Sequence, residues 1–348
     1  MGAARIFFMK RGVPGSVVAV IAAVIIAAAA GPPAHASAGE GGRIKAFVSI
    51  LPQECLVERI GGDHVEVRVL VGEGQDPHTF EPMPAQMAAL ADSDVYFTIG
   101  VPFETALLTR IRSLFPHLRI ADTIRGVALR YFTDEHETVA HDLPGAHAHR
   151  VRAPDPHTWL DPGRVKIMAG NIALSLKALD PEHGDVFERN LERLLQDLDR
   201  ADARIARILE PLKGRRIYVF HPAFGYFCEA YGLEQMVLEA DGKEPGAKQL
   251  AKLIEKARNE RVKVVFVQSQ FSEKAARAIA ESIGGVVVPI NPLPRDYLPD
   301  IVSLAEDIQG ALLKRTGPLP GHRRDGGAVN DARSSGPKGE HKERSGHE

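Results

Sequence analysis

Three histidines have similar neighbouring residues, and each lies next to a proline. His78 lies in Asp-Pro-His-Thr-Phe-Glu-Pro, His157 in Asp-Pro-His-Thr-Trp-Leu-Asp-Pro, and His221 in Phe-His-Pro-Ala-Phe-Gly. A neighbouring proline restricts each loop and limits the entropy that is lost when an imidazole is fixed. Three neutral imidazoles suit a borderline-soft divalent cation such as Zn²⁺ and leave a fourth coordination position open. A single histidine of this kind is usually an ordinary turn residue, and only the trio favours a metal site.

Two of these histidines, His78 and His221, follow predicted strands in the sequence. Strands alternate with helices over residues 44–121, and the same alternation returns over residues 217–290. This order is typical of mostly parallel sheets with helices on both faces, so the predicted fold class is α/β with two parallel-sheet lobes. Ligands bind such sheets at the carboxyl ends of the strands. We therefore expect His78 and His157 from the first lobe, and His221 from the second, to meet in the cleft between the lobes.

One long amphipathic helix is predicted between the lobes, over residues 181–212. Its apolar side chains recur at spacings of three and four, as on one face of a helix; they are Phe187, Leu191, Leu194, Leu198, Ala201, Ile205 and Ile208. Pro181 suits the first turn, and Pro211 with Gly214 can end the helix. A coiled-coil dimer is the alternative use of this stripe, but the stretch is too short to favour it. We interpret the helix as a stiff connector that packs on its own lobes.

These elements divide the chain into five predicted segments. The lobes span residues 43–180 and 214–315, with the connector helix at 181–213 between them. Residues 316–348 carry few apolar side chains among Gly, Pro, Ser and mixed charges, so this tail is predicted to be disordered. Residues 1–36 are predicted to be a signal peptide.

The N-terminus has the three parts of a secretory signal. Arg5, Lys10 and Arg11 precede an apolar run over residues 17–30, and Ala-His-Ala at 34–36 matches a signal-peptidase site. A membrane anchor is the alternative, but the apolar run is shorter than the roughly 20 residues that a spanning helix needs. No cysteine stands directly after the run, so nothing indicates lipid attachment. The cleaved protein is expected in the periplasm.

Composition and charge narrow the function further. With 44% hydrophobic and 25% charged residues the chain can bury large cores, which excludes general disorder. A net charge of -2 provides no positive surplus for binding phosphates, so nucleic acid is not an expected partner. Two cysteines cannot form a Cys-type zinc site, so any metal site has to use histidines and carboxylates. Export would permit a disulfide between Cys55 and Cys228, with buried free thiols as the alternative.

Five longer motifs lie within residues 46–313: DPHTFEP, DPHTWLDP, VFHPAFGYF, GKEPGAKQL and QFSEKAARAIAESIGG. Together they resemble the metal-binding cluster of ABC-transporter solute-binding proteins, the zinc and manganese receptors of the periplasm. The resemblance implies two α/β lobes joined by a long helix, with one metal ion in the cleft. It also implies delivery of the ion to a membrane permease, without catalysis. By this resemblance, His78, His157 and His221 fall on three ligand positions.

One departure from the family pattern concerns the fourth ligand. Family members commonly carry an Asp where this chain has Asn291, within INPLPRDYL. An Asn oxygen is a neutral and weaker ligand, so it would leave the charge of the ion unneutralised. The prediction is a three-histidine site that is completed by water, by chloride, by Asn291 or by a nearby carboxylate. The carboxylate candidates are Glu73, Asp76, Glu104 and Glu239.

Ligand softness indicates which metal is bound. By the resemblance, manganese-type members carry a carboxylate at the position of His221, and Mn²⁺ prefers oxygen donors. Zn²⁺ is therefore the predicted ion, and Mn²⁺ or iron is the less favoured alternative. Zinc-type members also resemble this chain in a His-rich or acidic insertion before the second motif, thought to collect the ion at low affinity; the residues here are His136, His141, His147 and His149. The alternative is a flexible, solvated loop.

Two other classes of protein use similar residues. Three histidines with an open position also suit a zinc-dependent hydrolase, but the sequence has no H-E-x-x-H helix and no G-x-S-x-G elbow. An extracellular adhesion or scaffold protein with a structural metal is the second alternative, and the sequence lacks the tandem repeats expected of such arrays. The predicted function is a monomeric receptor that passes zinc to the membrane permease of an ABC transporter.

Overall fold

The fold comes from a computed structural model that describes residues 42–132, 153–238, 246–270 and 273–316. Several sequence predictions concern other residues and lie outside these ranges. They are the signal peptide at 1–36, the tail beyond residue 316, the loop histidines His136, His141, His147 and His149, and Glu239.

The strands form two four-stranded sheets in which every neighbouring pair is parallel. The first sheet contains β1 (Ile44–Ile50), β2 (Val65–Val71), β3 (Val95–Thr98) and β4 (Arg119–Asp122). The second contains β5 (Arg216–Val219), β6 (Glu234–Val237), β7 (Val264–Gln268) and β8 (Val286–Ile290). Their orders, β2-β1-β3-β4 and β6-β5-β7-β8, are equivalent. The predicted α/β fold class with two parallel sheets is confirmed.

Helices follow the strands in both halves of the described chain. In the first half they are α1 (Leu51–Gly61), α2 (Pro84–Ala91), α3 (Pro102–Leu114) and α4 (Pro162–Leu179). The connector follows as α5 (Gly184–Leu209), and the second half contains α6 (Gly225–Tyr231), α7 (Ala247–Asn259), α8 (Glu273–Ser282) and α9 (Tyr297–Thr316). Single 3₁₀ turns lie at Gly62–His64, Thr158–Leu160, Pro181–His183 and Glu210–Leu212.

The inner strands are buried along nearly their whole length. Every residue of β3 and of β7 is buried, and β1 exposes only Lys45. A parallel strand with helices on both faces reads as a continuous apolar run, because neither face meets water. The alternation of apolar runs with helical segments therefore predicted the positions of these strands to within one or two residues.

The connector is α5, with a 3₁₀ turn at each end. Its apolar stripe is used within the chain, because α5 packs against α1, α4 and α9. Phe187, Leu194, Leu198 and Ile205 on this stripe are fully buried. The predicted single helix over 181–212 thus contains an α-helix flanked by two tighter turns; Pro181 begins the first turn and Pro211 lies within the second. The apolar stripe that a coiled-coil dimer would use is covered by other helices of the same chain.

The C-terminal helix α9 was not predicted from the sequence. It packs along α5 and also contacts α1, β7 and β8, so it joins both halves of the molecule. Its buried residues Tyr297, Ile301, Ala305, Ile308 and Leu312 recur at spacings of four and three. This periodicity was present in the sequence and would have revealed the helix.

The two cysteines are free thiols, so the disulfide considered above is not formed. Cys55 lies in α1 and Cys228 in α6, and burial raises the pKa of both thiols. Raised thiol pKa values disfavour the thiolate, which is the reactive form. Separately, no helix within the described ranges combines the length and apolar character needed to cross a bilayer.

Candidate metal centre

Three imidazoles from distant parts of the sequence meet in the cleft between the sheets. Nε2 of His78 lies 3.4 Å from Nε2 of His157 and 3.1 Å from Nε2 of His221. One ligand atom from each residue lies within 4.8 Å of the others. Zn–N bonds of about 2.0–2.1 Å in tetrahedral geometry separate two nitrogens by about 3.4 Å. The spacing of the three nitrogens is therefore close to that of ligands around one zinc ion.

The backbone of each histidine is fixed by hydrogen bonds to a neighbouring side chain. Asp76 accepts a hydrogen bond from the backbone N–H of His78 at 2.9 Å, and Asp155 accepts one from that of His157 at 3.0 Å. The two Asp-Pro-His motifs thus form the same local turn. The backbone of His221 pairs with the buried side chain of Gln268, which accepts from its N–H at 3.2 Å and donates to its carbonyl at 2.6 Å.

Asp155 also orients the ring of His157. Its Oδ1 atom lies 2.7 Å from Nδ1 of that imidazole, and both side chains are buried. This contact favours the tautomer with the proton on Nδ1, which leaves the lone pair of Nε2 directed at the other two rings. A carboxylate behind a ligating imidazole is a common support in metal sites, because it fixes the ring and increases its basicity.

The surroundings of His78 and His157 keep both rings neutral. Burial, reinforced by the neighbouring imidazoles of His157 and His221, lowers the pKa of His78 to about 2. Burial also lowers the pKa of His157, although the hydrogen bond to Asp155 opposes this effect. Only the neutral imidazole can bind a metal ion, so proton competition at these two residues is weak near neutral pH.

The space in front of the imidazoles is small. A cavity of about 20 Å³ is bordered by the three histidines together with Asp76, Trp159, Gln270 and Leu293. A cavity needs about 10–15 Å³ to hold one water molecule. Trp159 helps to close it, because its indole N–H donates to the backbone carbonyl of Pro292 at 2.6 Å across the cleft. The cavity is large enough for one ion or one water molecule.

The candidates for a fourth ligand lie in different surroundings. Asn291 is exposed, and its Oδ1 accepts from the backbone N–H of Leu293 at 2.9 Å, so this oxygen already stabilises a turn. Asp76 borders the cavity, but its carboxylate accepts from the backbone of His78 and the hydroxyl of Thr79. Glu73 is exposed in a turn. Among the described residues, no carboxylate joins the three imidazoles within 4.8 Å.

Glu104, another candidate, belongs to a separate buried network. Its carboxylate accepts from the backbone N–H groups of Ile99 at 2.9 Å and Gly100 at 2.7 Å, and from the hydroxyl of Ser49. Burial, with a smaller contribution from Asp122, raises the pKa of Glu104 to about 7 despite these hydrogen bonds. This carboxylate supports the ends of β1 and β3, and it is not grouped with the three imidazoles.

The raised pKa of Glu104 predicts a pH-dependent stability. The folded state holds the proton more tightly than the unfolded state, so the protonated group stabilises the fold at low pH and this contribution is lost as the pH rises through about 7. Between pH 5 and pH 8 the unfolding free energy of the parent protein should fall by about 2 kcal/mol relative to Glu104→Gln. Urea titrations at both pH values measure this difference, and equal pH slopes would contradict it.

A junction between the two halves lies directly behind His157. The hydroxyl of Tyr226 in α6 donates to the backbone carbonyl of Asp155 at 2.9 Å and accepts from the backbone N–H of Arg130 at 2.8 Å. Glu229, also in α6, pairs with Arg130 and with Arg164. The residue that orients His157 is therefore anchored to the second half of the molecule.

The supporting residues were not predicted from the sequence. Trp159 and Asp155 stand inside motifs that were singled out for their histidines, and the shared Asp-Pro-His pattern was a usable signal for a carboxylate bonded to the backbone of each of those two histidines. Gln268 ends β7 at the edge where His221 follows β5. The sequence carried no signal for its pairing with His221, because that pairing depends on the register of β5 and β7.

Comparison with known proteins identifies the family. The family model described as "Zinc-uptake complex component A periplasmic" matches residues 47–310 of this chain. The chain belongs to this zinc-uptake family. The resemblance predicted from the motifs is thereby confirmed. The description of the family names a periplasmic component. Substrate-binding proteins of metal ABC transporters are among the relatives.

Individual relatives are similar to this chain over most of its length. The high-affinity zinc uptake system protein ZnuA of Bacillus subtilis (strain 168) is 29% identical over 260 residues, which are 73% of this chain and 80% of that protein. The manganese ABC transporter substrate-binding lipoprotein PsaA of Streptococcus mitis is 27% identical over 71% of this chain and 78% of that protein.

Solved structures of the family share the fold. A crystal structure of ZnuA is 36% identical, with a TM-score of 0.69, and the match covers 77% of this chain and 99% of that one. A ZnuA deletion mutant with zinc bound is 37% identical, with a TM-score of 0.68, over 77% and 98% of the two chains.

Proposed function

We propose that this protein is the periplasmic receptor of an ABC importer and that it captures a single zinc ion with His78, His157 and His221. The observation that carries the proposal is the convergence of three imidazoles, at Nε2 separations of 3.1 and 3.4 Å for two of the pairs, from both halves of the chain. Membership of the zinc-uptake family supports the same function.

The ligand set supports zinc as the cargo ion. Three imidazoles, with no carboxylate from the described ranges within the cluster, match the preference of Zn²⁺ better than that of Mn²⁺, which favours oxygen donors. Relatives named for zinc and for manganese are both present, so manganese is the alternative cargo. The fourth position is proposed to hold water or another weak ligand, because the oxygen of Asn291 is bonded to Leu293.

Receptor action is proposed rather than catalysis. The cavity has room for about one ion or one water molecule, which supports the capture of a single ion. Because the ligands come from both halves, separating the halves would break the coordination and release the ion. The apolar stripe of the connector packs against helices of the same chain, which supports a monomer. The net charge of -2 gives no support to nucleic-acid binding. The membrane permease is then the partner that receives the ion.

Metal binding by the purified protein tests this function. The mature chain is stripped with a chelator, dialysed against equal zinc and manganese, and analysed for elements. One tightly held zinc per chain is expected, with manganese absent. The chain has a single tryptophan, Trp159, whose ring lies 5.3 Å from that of His157. Its fluorescence should therefore report zinc binding directly. Preferential retention of manganese, or of no metal, would contradict the proposal.

Export can be tested on the same protein. We propose that residues 1–36 are removed during secretion, in agreement with the periplasmic description of the family. Mass spectrometry of the protein from the periplasmic fraction should give a chain that begins at Ser37. A retained or lipid-modified N-terminus would contradict this proposal.

Removing the carboxylate behind His157 is expected to weaken zinc binding. Asp155→Asn keeps the shape of the side chain but lowers the basicity of the imidazole, and such substitutions typically cost 10- to 100-fold in metal affinity. Calorimetric competition with a chelator measures the change. Asp76→Asn is the matched control, because Asp76 bonds the backbone of His78 and not its ring. Equal effects of the two substitutions would contradict the role given to the Asp155–imidazole contact.

The loop histidines are proposed to collect zinc at low affinity. His136, His141, His147 and His149 stand among acidic residues just before the second motif. Deleting residues 134–149 is expected to reduce the number of weakly bound zinc ions while the tight site is retained. Equilibrium dialysis at several zinc concentrations measures both classes. Retention of every weakly bound equivalent would contradict the collecting role.

A further inference from the structure

A second group of metal-ligating side chains lies away from the cleft, where the end of α1 meets the start of the connector. His64 ends the 3₁₀ turn that follows α1, and Asp180 and His183 bracket the 3₁₀ turn that precedes α5. One ligand atom from each of the three residues lies within 4.8 Å of the others, and all three are half-buried. We infer that His64, Asp180 and His183 form an auxiliary site for a zinc-type divalent cation.

The two helices beside these three residues, α1 and α5, are joined to each other by direct contacts. The side-chain amide of Asn190 in α5 donates to the backbone carbonyl of Ile60 in α1 at 3.0 Å, so the two helices are joined beside the group. The ring of His64 also meets the edge of Phe187, a buried residue of the connector, at a centroid distance of 6.0 Å. The three side chains therefore do not depend on a loose surface loop for their proximity.

Asp180 prepares His183 for a metal ion. Its Oδ2 atom lies 2.6 Å from Nδ1 of that ring, and its Oδ1 atom accepts from the backbone N–H of His183 at 3.3 Å. A cation that displaces the proton between these two atoms would be bound by Nδ1 of His183 and by the carboxylate together. The carboxylate also offsets half of the charge of a divalent cation.

The geometry predicts a weaker site than the one in the cleft. The rings of His64 and His183 are stacked, with centroids 3.8 Å apart and planes at 28°. Lone pairs in two nearly parallel rings cannot converge on one ion, so one ring has to rotate when the ion binds. The need to rotate a ring lowers the affinity relative to a preorganised site.

The donor types select the class of ion. Two imidazoles and one carboxylate suit Zn²⁺, Ni²⁺ and Cu²⁺, whereas Mg²⁺ and Ca²⁺ prefer ligand sets made of oxygen. The exposed fraction of the His183 side chain is 42%, so an ion can reach this group from solvent. An ion held here would link α1 to α5 and should raise the thermal stability of the protein.

Calorimetry on the full mature chain tests the site with zinc as the probe. The parent protein is expected to bind one zinc tightly and further zinc more weakly. His64→Ala should remove one weakly bound equivalent and leave the tight one, and Asp180→Asn should weaken that equivalent by at least about tenfold. His117→Ala is the matched control, because His117 is exposed and belongs to no such group among the described residues. It should keep every equivalent.

Anomalous scattering from zinc-soaked crystals assigns the equivalent to its residues. A zinc peak between His64, Asp180 and His183 is expected in the parent protein and also in His157→Ala, whose cleft site is impaired. Absence of that peak, or an unchanged zinc count in His64→Ala, would overturn the inference. The tight site is measured separately by tryptophan fluorescence, so failure of the auxiliary site is distinguishable from failure of the zinc-receptor function.

Discussion

Replacing His221 by alanine is expected to weaken zinc binding by roughly a thousandfold. Zinc sites in proteins contribute about 10–16 kcal/mol of binding free energy, and one of three protein ligands carries roughly a third of it, or about 4 kcal/mol. His221 is the ligand that the second half of the molecule supplies, and it is held by the buried Gln268. Its loss leaves two imidazoles on one side of the cleft and removes the contact that links the halves through the ion.

Chelator competition followed by Trp159 fluorescence measures this loss. Asn291→Ala belongs in the same titration, because its amide oxygen already bonds the backbone of Leu293, and we expect its affinity to stay within about tenfold of the parent. His117→Ala controls for the removal of an imidazole elsewhere. If His221→Ala bound zinc within about tenfold of the parent, the three-histidine site would be wrong. A large loss in Asn291→Ala would instead identify that residue as the fourth ligand.

Replacing Trp159 by alanine is expected to destabilise the folded protein by about 3–5 kcal/mol. The side chain is only 1% exposed, and large-to-small substitutions of such aromatic residues leave a cavity and cost this amount. The substitution also removes the indole donor to the carbonyl of Pro292. Because that bond crosses the cleft, zinc affinity should decrease together with stability.

Two further variants separate the packing of Trp159 from its hydrogen bond. Trp159→Phe restores most of the volume but cannot donate, so a smaller loss of about 1–3 kcal/mol is expected. Leu174→Ala removes a side chain that is 68% exposed and should change stability by less than about 0.5 kcal/mol. Urea unfolding followed by circular dichroism measures all three. A loss below about 1 kcal/mol in Trp159→Ala would contradict the closing role of this residue.

The fold was predictable because its signals are local. The helix at 84–91, the helix at 247–259 and the strand at 286–290 were predicted with the bounds that the structure has. Each is bounded by Gly, Pro or a change in hydrophobic period, which a sequence displays directly. The domain boundaries remain a prediction. Helix α9 was overlooked because it begins among prolines and runs into a polar tail, although its apolar spacing was regular.

The candidate site was predictable only in part. The motifs predicted the three histidines and their meeting in one cleft, since loops at the carboxyl ends of strands in facing lobes converge. The contacts that support them join residues far apart in the sequence, such as Gln268 with His221 and Trp159 with Pro292. Such pairs depend on strand register and on the angle between the lobes, and neither leaves a pattern in a single sequence.

The packing of the connector limits how the receptor can open. Helix α5 contains no proline, and its only glycine is Gly184 at its first position, so it has no internal point at which to kink. It is also braced along its length by α1, α4 and α9. Any swing of one lobe has to be absorbed at the two short turns beside Pro181 and Pro211. We therefore expect the two lobes to move apart only slightly, and the bound ion to leave after this small opening of the cleft.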